Sequence, residues 1–452
     1  MKRLTAFILV LACAGLMLAS CIIGTGSTST LNGVALSEFS IVYSDEDADY
    51  SARAAEYIRD EISRRTGLDL PILEDSEGEV EYEIVVGETD RAISERLDAD
   101  TEGVQFAILA EDGKIALEGD YFVIAAAAYF FINTYIPSNN FDAEIPTEAV
   151  VHDPITLEAK NFILLIGDGM GVNQSTLYEV LEDESGYSDG ESEFYGYYLP
   201  TMGYARTDSL SGTTDSAAAG TALSCGTKTL NGCVGVDKDH VELQSITELA
   251  ASLGKATAVM STEASTGATP SAFSAHTDSR SNSDDILKDQ DKMTDNFGTI
   301  INCNFNYYTR GGVKILEDNI DWTLDDLTKN EKGFFLMYEE AHIDKHCHSN
   351  DIDRAYLALI RFNQAIGRFM EYAFYNPDTL VIITADHETG GLHQGDDGEY
   401  AFSTEDHTSA DVPVFAYGEG SEYFDGKTVE NTDIPKWIAS LMGVSGFAKS
   451  ND

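Results

Sequence analysis

The chain contains 452 residues, enough for two or three domains, and 43% of them are hydrophobic, as is typical of a folded globular protein. It carries 28 Lys and Arg against 78 Asp and Glu, which gives a formal net charge of -50. Such a charge excludes nucleic acid as an expected partner, because nucleic acid is met by clustered cations, and it argues against docking on anionic lipid. An anionic substrate would need strong local positive charge, which bound metal ions can provide.

The first residues have the pattern of a secretory signal. Residues 1–3 carry two positive charges, and the apolar stretch that follows is too short to be a good membrane span. The sequence Leu-Ala-Ser-Cys at 18–21 resembles the end of a bacterial lipoprotein signal. The resemblance implies that residues 1–21 are the signal peptide and lipobox, and that Cys21 carries lipid and anchors an extracytoplasmic protein to the cell membrane. The alternative is a plain signal peptide with an incidental cysteine. Residues 22–33, rich in Gly, Ser and Thr, are predicted to form a flexible tether.

Residues 34–150 have the pattern of a small α+β accessory domain. The predicted elements are strands at 39–43 and 82–86, helices at 50–66 and 122–135, and a hairpin over 104–117. The pattern is similar to small domains that precede catalytic domains in some bacterial glycan-degrading enzymes, which would imply contact with glycan or cell wall. A spacer or docking domain is the main interpretation, because no catalytic cluster is present in this part of the sequence.

After a loop-like linker at 137–154, a second domain is predicted over 155–452. Its elements are strands at 161–167, 256–260, 334–338, 380–385 and 412–417, with helices at 243–253 and 354–374 among them. Alternating strands and helices predict an α/β fold with a mostly parallel sheet and helices on both faces. Sites in such folds form at the carboxyl ends of the strands. Asp168, Glu339 and Asp386 follow or end three of these strands, and a bound metal would neutralise this cluster of acids.

Ser216 lies where a stretch of small, helix-compatible residues begins, at 214–222. A helix that starts there would direct its free backbone N–H groups and the positive end of its dipole at a ligand beside Ser216, which suits a phosphate. Taken alone, the same residues favour an ordinary helix N-cap, and the metal-ligand set and the arginine elsewhere in the chain are what favour a phosphate site.

The second domain contains aspartate and histidine residues at spacings that suit metal binding. Asp344 and His348 are four residues apart, which places both side chains on one face of a helix. His387 and His407 add nitrogen donors, and such oxygen and imidazole sets suit zinc. The oxygen ligands of Asp168, Thr269 and Glu339 suit magnesium.

From residue 161 onward the chain resembles the alkaline phosphatase family. The stretches that carry the resemblance occur in family order: 166–171 (IGDGMG), 214–218 (TDSAA), 226–229 (GTKT), 231–232, 268–270 (ATP), 275–276 with Arg280, Glu339, 343–345 with His348, 384–391 (TADHETGG) and 407–408 (HT). The resemblance implies the family's fold, a three-layer sandwich with a mostly parallel central sheet, here preceded by the small α+β domain. It also implies hydrolysis of phosphate monoesters to inorganic phosphate and alcohol through a phosphoserine intermediate. A phosphodiesterase of the same superfamily is the alternative.

The family's residue roles follow from the matched positions. Ser216 would be the nucleophile, Arg280 would bind two phosphate oxygens, and Lys345 would lie near the phosphate. One zinc ion would be held by Asp344, His348 and His407. The second would be held by Asp168, Asp386 and His387. The magnesium ion would be held by Asp168, Thr269 and Glu339.

The chain also departs from the family's pattern. Gly267 stands where members usually carry Asp or His, which leaves the magnesium less certain than the two zinc ions, and Glu340 replaces a customary Gly. The segments 280–339 and 387–407 are shorter than in many members. The family's homodimer is therefore an open possibility for this chain. Cys225 and Cys233 are close in sequence, and whether they form a disulfide is open as well.

Overall fold

A computed structural model describes residues 29–44, 48–97, 101–138, 140–177, 194–304, 312–395 and 398–448. The predicted signal at 1–21, with Cys21, lies outside these residues, so lipidation and membrane location stay predictions. Within the described residues, every helix is too short or too polar to cross a membrane.

The strands of the described residues are β1 (Thr30–Leu31), β2 (Val34–Ala35), β3 (Ser40–Tyr43), β4 (Ile72–Glu74), β5 (Glu83–Val86), β6 (Phe106–Glu111), β7 (Lys114–Glu118), β8 (Asp142–Ala143), β9 (Val150–His152), β10 (Asn161–Gly167), β11 (Thr201–Arg206), β12 (Ala256–Ser261), β13 (Ile300–Cys303), β14 (Phe334–Glu340), β15 (Thr379–Thr384), β16 (Glu388–Thr389), β17 (His393–Gln394), β18 (Tyr400–Ala401), β19 (His407–Thr408), β20 (Val412–Tyr417) and β21 (Thr428–Glu430).

The helices are α1 (Ala48–Thr66), α2 (Ala92–Arg96), α3 (Ile124–Tyr135), α4 (Ser216–Cys225), α5 (Ile246–Ser252), α6 (Ala268–Ala272), α7 (Ser283–Phe297), α8 (Gly312–Leu327), α9 (His342–Cys347), α10 (Ile352–Tyr375) and α11 (Asp433–Leu441). A further helical segment lies at 172–177.

The N-terminal part is built on a six-stranded sheet in the order β4-β3-β5-β7-β6-β9. The hairpin predicted over 104–117 is confirmed as β6 and β7. Its turn residues Asp112 and Gly113 have φ values of 47° and 83°, as a two-residue hairpin turn with the twist of the strands requires.

Two segments predicted to lack regular structure contain short strands. Within the predicted tether, β1 pairs with β2 and β8; within the predicted linker, β9 pairs with the edge of β6. The nearby Pro, Gly and Asn residues dominate the local pattern there. The pairing comes instead from strand edges supplied by distant parts of the chain, which local sequence does not reveal.

The central sheet has eight strands in the order β13-β12-β14-β10-β15-β20-β11-β21. The mostly parallel sheet is confirmed, because β20 alone in this sheet runs against its neighbours. Every residue of β10, β14 and β15 is buried, as expected for central strands covered on both faces. Ile166 pairs with Glu339 on one side and with Thr384 on the other, so the carboxyl ends of these three strands are level.

Helices cover both faces of this sheet. On β14, Phe335 and Tyr338 are three residues apart and so point to opposite faces. The ring of Phe335 stacks on Phe273, which follows α6, with 6.3 Å between centroids, whereas Tyr338 stacks on Phe362 of α10, also at 6.3 Å. The result is the predicted three-layer arrangement.

The N-terminal part packs against α10 of the second part. Phe122, just before α3, contacts the ring of Phe374 with 5.8 Å between centroids, and Tyr57 of α1 stacks on Tyr375 at 4.2 Å. One continuous apolar cluster therefore includes buried residues from both parts of the chain.

Candidate metal and phosphate site

Ser216 is the first residue of α4, as the sequence predicts. The side chain of Asp215 caps the helix by accepting a hydrogen bond from the backbone N–H of Ala218 at 3.0 Å. All ten residues of α4 are buried. The small residue Gly220 allows close packing on α6, because a Cβ at Gly220 would lie 3.0 Å from the Cβ of Ala272. The hydroxyl of Ser216 is therefore held on a rigid, buried helix at the carboxyl edge of the sheet.

The first candidate metal group consists of Asp344, His348 and His407, whose ligand atoms lie within 4.8 Å of one another. The Nε2 atoms of His348 and His407 are 3.0 Å apart, and they lie 3.3 Å and 3.4 Å from Oδ1 of Asp344. Burial alone would raise the pKa of Asp344, but its bond with His407 and the charge of His387 hold that pKa well below its usual range. Asp344 is therefore the anionic centre of this group.

The orientation of these imidazoles leaves a ring nitrogen for a metal. Nδ1 of His407 donates to the carbonyl oxygen of Thr214 at 2.8 Å, and Nδ1 of His348 donates to the carbonyl oxygen of Glu405. A histidine whose Nδ1 is protonated and bound to a carbonyl presents Nε2 as a ligand. Both Nε2 atoms point towards Asp344.

The second candidate metal group consists of Asp168, Asp386 and His387, all buried, with ligand atoms again within 4.8 Å of one another. Nε2 of His387 lies 3.5 Å from Oδ1 of Asp168, 3.2 Å from Oδ2 of Asp386 and 3.1 Å from Oγ of Ser216. Burial and the charge of Asp344 raise the pKa of Asp386 to about 7, and burial lowers the pKa of His387 to about 3. This group adjoins the hydroxyl of Ser216.

The turn after β10 brings the two groups together. Gly169 has a φ of 78°, and a Cβ there would lie 2.7 Å from Cα of Asp344, so only glycine allows α9 to approach this closely. The backbone N–H of Asp344 donates to the carbonyl oxygen of Asp168 at 2.9 Å.

Glu339 lies behind the second group, fully buried at the end of β14. Burial raises its pKa well above the usual range, and the charge of Glu263 adds to that rise, while the hydroxyls of Ser261 and Thr269 oppose it. Among the described residues, Oε1 of Glu339 and Oδ1 of Asp168 have no hydrogen-bond partner. Buried, unpartnered carboxylate oxygens are costly unless a cation binds them, so these residues fit a metal site.

Arg280 lines the cavity that contains Ser216, whereas Lys345 is paired with Glu263. Nη1 of Arg280 is 3.3 Å from Oδ2 of Asp215, and its half-exposed side chain lines a cavity of about 450 Å³ that also contains Ser216. The ammonium of Lys345 instead donates to Oε2 of Glu263 at 2.6 Å.

Sequence reasoning assigned no role to three residues that the structure places in the site. Thr389 donates to Oδ1 of Asp344 at 2.6 Å and lies 3.2 Å from Nδ1 of His387, so it connects the two metal groups. Asp215 contacts Arg280, and Glu263 contacts Lys345. Thr389 and Asp215 belong to the stretches that carry the family resemblance, which was a usable signal. Glu263 belongs to none of them.

Cys225 and Cys233 are both free, so the disulfide considered for them is not formed; Cys303 and Cys347 are free as well.

His276, which lies in one of the stretches that resemble the family, should stabilise the folded protein to a degree that depends on pH. Burial lowers its pKa, but Glu248 and Asp289, 3.5 Å and 3.6 Å from its ring nitrogens, raise it more, so the folded-state pKa lies above the ordinary value. The contribution is therefore fully present below about pH 6.5 and is lost as the pH rises through the folded-state pKa. We expect His276→Gln to lower the melting temperature more at about pH 5.5 than at about pH 9. Equal losses at both values would contradict this assignment.

The sequence matches the alkaline phosphatase family over residues 159–314 and 313–405. Alkaline phosphatase 3 of Bacillus subtilis (strain 168) is 31% identical over 339 residues, covering 63% of this chain and 71% of that protein. The alkaline phosphatase of the Antarctic bacterium TAB5 aligns with a TM-score of 0.56 and 28% identity, over 64% of this chain and 100% of that one. A variant of the TAB5 enzyme with Mg bound in its M3 site aligns with a TM-score of 0.55 and the same identity, over 65% and 100%. Together with the parallel sheet and the acids at its carboxyl edge, these matches show that the chain belongs to the alkaline phosphatase family of phosphatases.

Proposed function

We propose that this protein hydrolyses phosphate monoesters to inorganic phosphate and an alcohol through a phosphoserine intermediate on Ser216. The observation that carries the proposal is the placement of Ser216 at the start of α4, with Oγ 3.1 Å from His387 and beside two Asp/His groups. Members of this family are metal-dependent phosphatases. One cavity is lined by the proposed nucleophile, the proposed phosphate-binding arginine and one Asp/His group: Ser216, Arg280, Asp344, His348 and His407.

The metal ions are assigned from the donor types. The first candidate metal group (Asp344, His348 and His407) and the second (Asp168, Asp386 and His387) would each hold a zinc ion, because tetrahedral zinc prefers nitrogen and carboxylate ligands. The oxygen-only set of Asp168, Thr269 and Glu339 suits magnesium. When bound, such ions lower the pKa of a coordinated hydroxyl and stabilise charge on the entering and leaving oxygens.

The protein's own groups account for the remaining steps. The Ser216 hydroxyl gives its proton to solvent as its oxygen attacks phosphorus, the ester P–O bond breaks, and the leaving oxygen takes a proton from solvent to become the alcohol. A water molecule then attacks phosphorus and breaks its bond to Oγ of Ser216, which takes up a proton as inorganic phosphate is released. The N-terminus of α4 favours the phosphate charge at this position. Arg280 can turn from Asp215 to bind two phosphate oxygens with its planar fork.

The reaction is tested with a chromogenic phosphate monoester and a chromogenic phosphate diester, assayed in parallel before and after chelation. Activity on the monoester that chelation removes and zinc restores, with a poor rate on the diester, would support the proposal. A preference for the diester would replace it by the phosphodiesterase alternative. Absence of activity on either substrate in zinc- and magnesium-loaded protein would overturn both.

Arg280→Ala is expected to weaken phosphate binding while leaving activity detectable. A charge-assisted bidentate pair contributes about 1.5–3 kcal/mol, so KM and the inhibition constant of inorganic phosphate should rise roughly tenfold to a hundredfold. Steady-state kinetics with phosphate as inhibitor measure both. An unchanged inhibition constant would remove Arg280 from the phosphate site. Arg206→Ala, which removes an exposed arginine paired with Glu430, is a suitable control.

A further inference from the structure

Gly267 and Glu263 are spatially matched in this chain. A Cβ built on Gly267 would lie 1.8 Å from Oε1 and 2.2 Å from Cδ of Glu263. The backbone of Gly267 has φ -58° and ψ 157°, which any residue adopts. Glycine is therefore needed here for space and not for conformation, and the space that a side chain at 267 would fill is occupied by the carboxylate of Glu263.

The loop that carries Glu263 is fixed beside Glu339. The backbone N–H of Glu263 donates to Oγ of Ser261 at 3.0 Å, and the same hydroxyl donates to Oε2 of Glu339. The backbone N–H of Thr262 donates to the carbonyl oxygen of Glu339 at 3.1 Å, and that of Asn304 to the carbonyl oxygen of Glu263 at 2.6 Å. The backbone of the loop that carries Glu263 is thus held beside Glu339.

Negative charge exceeds positive charge around Glu263. Its backbone is joined to Oε2 of Glu339 through the hydroxyl of Ser261, and its carboxylate lies beside Gly267, two residues before Thr269. Oε1 of Glu339 and Oδ1 of Asp168 are buried without hydrogen-bond partners among the described residues. The half-exposed ammonium of Lys345, 2.6 Å from Glu263, supplies one positive charge beside three carboxylates. An oxygen cluster of this kind suits a hard divalent cation.

We propose that Glu263 provides the cation site of Asp168, Thr269 and Glu339 with the carboxylate that position 267 lacks, and that it sets the affinity of this site for Mg²⁺. The inference rests on the proposed function, which supplies the site itself. Glu263 acts on the cation through its charge and position, and its ion pair with Lys345 competes with that action.

The test is calorimetric titration of the zinc-loaded full chain with MgCl₂. Glu263→Gln should weaken Mg²⁺ binding by about tenfold or more, because the number of charged ligands sets the affinity of such sites, and its zinc content should not change. Glu331→Gln, at an exposed turn, is the matched control and should bind as the wild type does. Equal Mg²⁺ affinity in Glu263→Gln and the wild type would overturn the inference.

Two further variants separate a role towards the cation from a role towards Lys345. Gly267→Ala keeps the charge of Glu263 but displaces its carboxylate, so it should also weaken Mg²⁺ binding. Lys345→Met removes the competing ammonium, so its Mg²⁺ affinity should equal or exceed that of the wild type. If Lys345→Met instead weakens binding as Glu263→Gln does, Glu263 acts only by holding Lys345 and the inference fails.

The outcomes for the inference and for the proposed function are distinct. A wild-type chain that hydrolyses the monoester but binds no Mg²⁺ beyond its zinc would overturn the inference alone. A wild-type chain that binds Mg²⁺ in a Glu263-dependent manner but hydrolyses no phosphate ester would support the inference and overturn the proposed function.

Discussion

Ser216→Ala should lower steady-state turnover of a phosphate monoester by at least about four orders of magnitude, because removal of the nucleophile from a covalent mechanism leaves only the residual catalysis of binding and charge stabilisation. The substitution removes one oxygen from the first turn of a buried helix that is otherwise unchanged. Alanine is the best helix former, so α4 should persist. The loss should therefore lie in turnover, with the bound metal and the fold retained.

Ser224→Ala is the matched control for this variant. Ser224 lies on the same helix, is equally buried, and bonds within the helix to the carbonyl oxygen of Thr221 at 3.4 Å. Its substitution should leave turnover close to wild type. Acid-quenched wild-type protein incubated with labelled substrate should carry phosphate on Ser216, and the Ser216→Ala protein should carry none. Near-wild-type turnover by Ser216→Ala would show that another group attacks phosphorus.

The sequence allowed the centre of the fold to be predicted because burial on both faces imposes a visible pattern. The residues of β10 form a continuous apolar run that ends directly at Asp168, and β14 repeats that pattern up to Glu339. Parallel strands place their carboxyl ends on one edge, so these acids had to converge once the sheet was parallel. The direction of each strand was harder to predict than its position, because nothing in the residues of β20 shows that it runs antiparallel to β15.

Contacts made by residues outside recognisable motifs could not be predicted from the sequence. The resemblance predicts Lys345 near the phosphate, which stays a prediction, but it gave no sign that the ammonium of Lys345 pairs with Glu263. Glu263 lies in a polar loop with no distinctive spacing, and its importance depends on the space that Gly267 leaves empty. The Glu263 carboxylate fits into the space beside Gly267 only once the chain is folded, so the sequence pattern does not show this contact.

The contact between the N-terminal part and α10 could not be predicted from the sequence pattern either. Removal of the ion pair within this contact is expected to cause the largest loss of stability. Glu371, with only 2% of its side chain exposed, accepts two bonds from Nε of Arg53, at 2.9 Å and 3.0 Å, and a further bond from Arg368. Arg368 also donates to Asp321 at 2.7 Å. Arg53 belongs to α1, so this buried carboxylate joins the two parts of the protein.

Glu371→Gln should therefore lower the free energy of unfolding by about 2–3 kcal/mol. Removal of one partner from a buried ion pair costs about 3–5 kcal/mol, and partial exposure of both arginines reduces that figure. Arg368 keeps Asp321, so most of the loss should fall on Arg53 and its helix. Urea unfolding of the variant, with Glu56→Gln on the exposed side of α1 as control, measures the difference.

The site should be unaffected by this loss, because α10 places Glu371 at the other end of the sheet. The neighbouring Tyr372 packs against Phe334, the first residue of β14, whereas Glu339 near the end of that strand belongs to the site. Turnover below the unfolding range should therefore equal that of the wild type while the midpoint of unfolding falls. If Glu371→Gln leaves the midpoint where Glu56→Gln does, the ion pair contributes no net stability. In that case the aromatic contacts, such as the stack of Tyr57 on Tyr375, hold the two parts together without it.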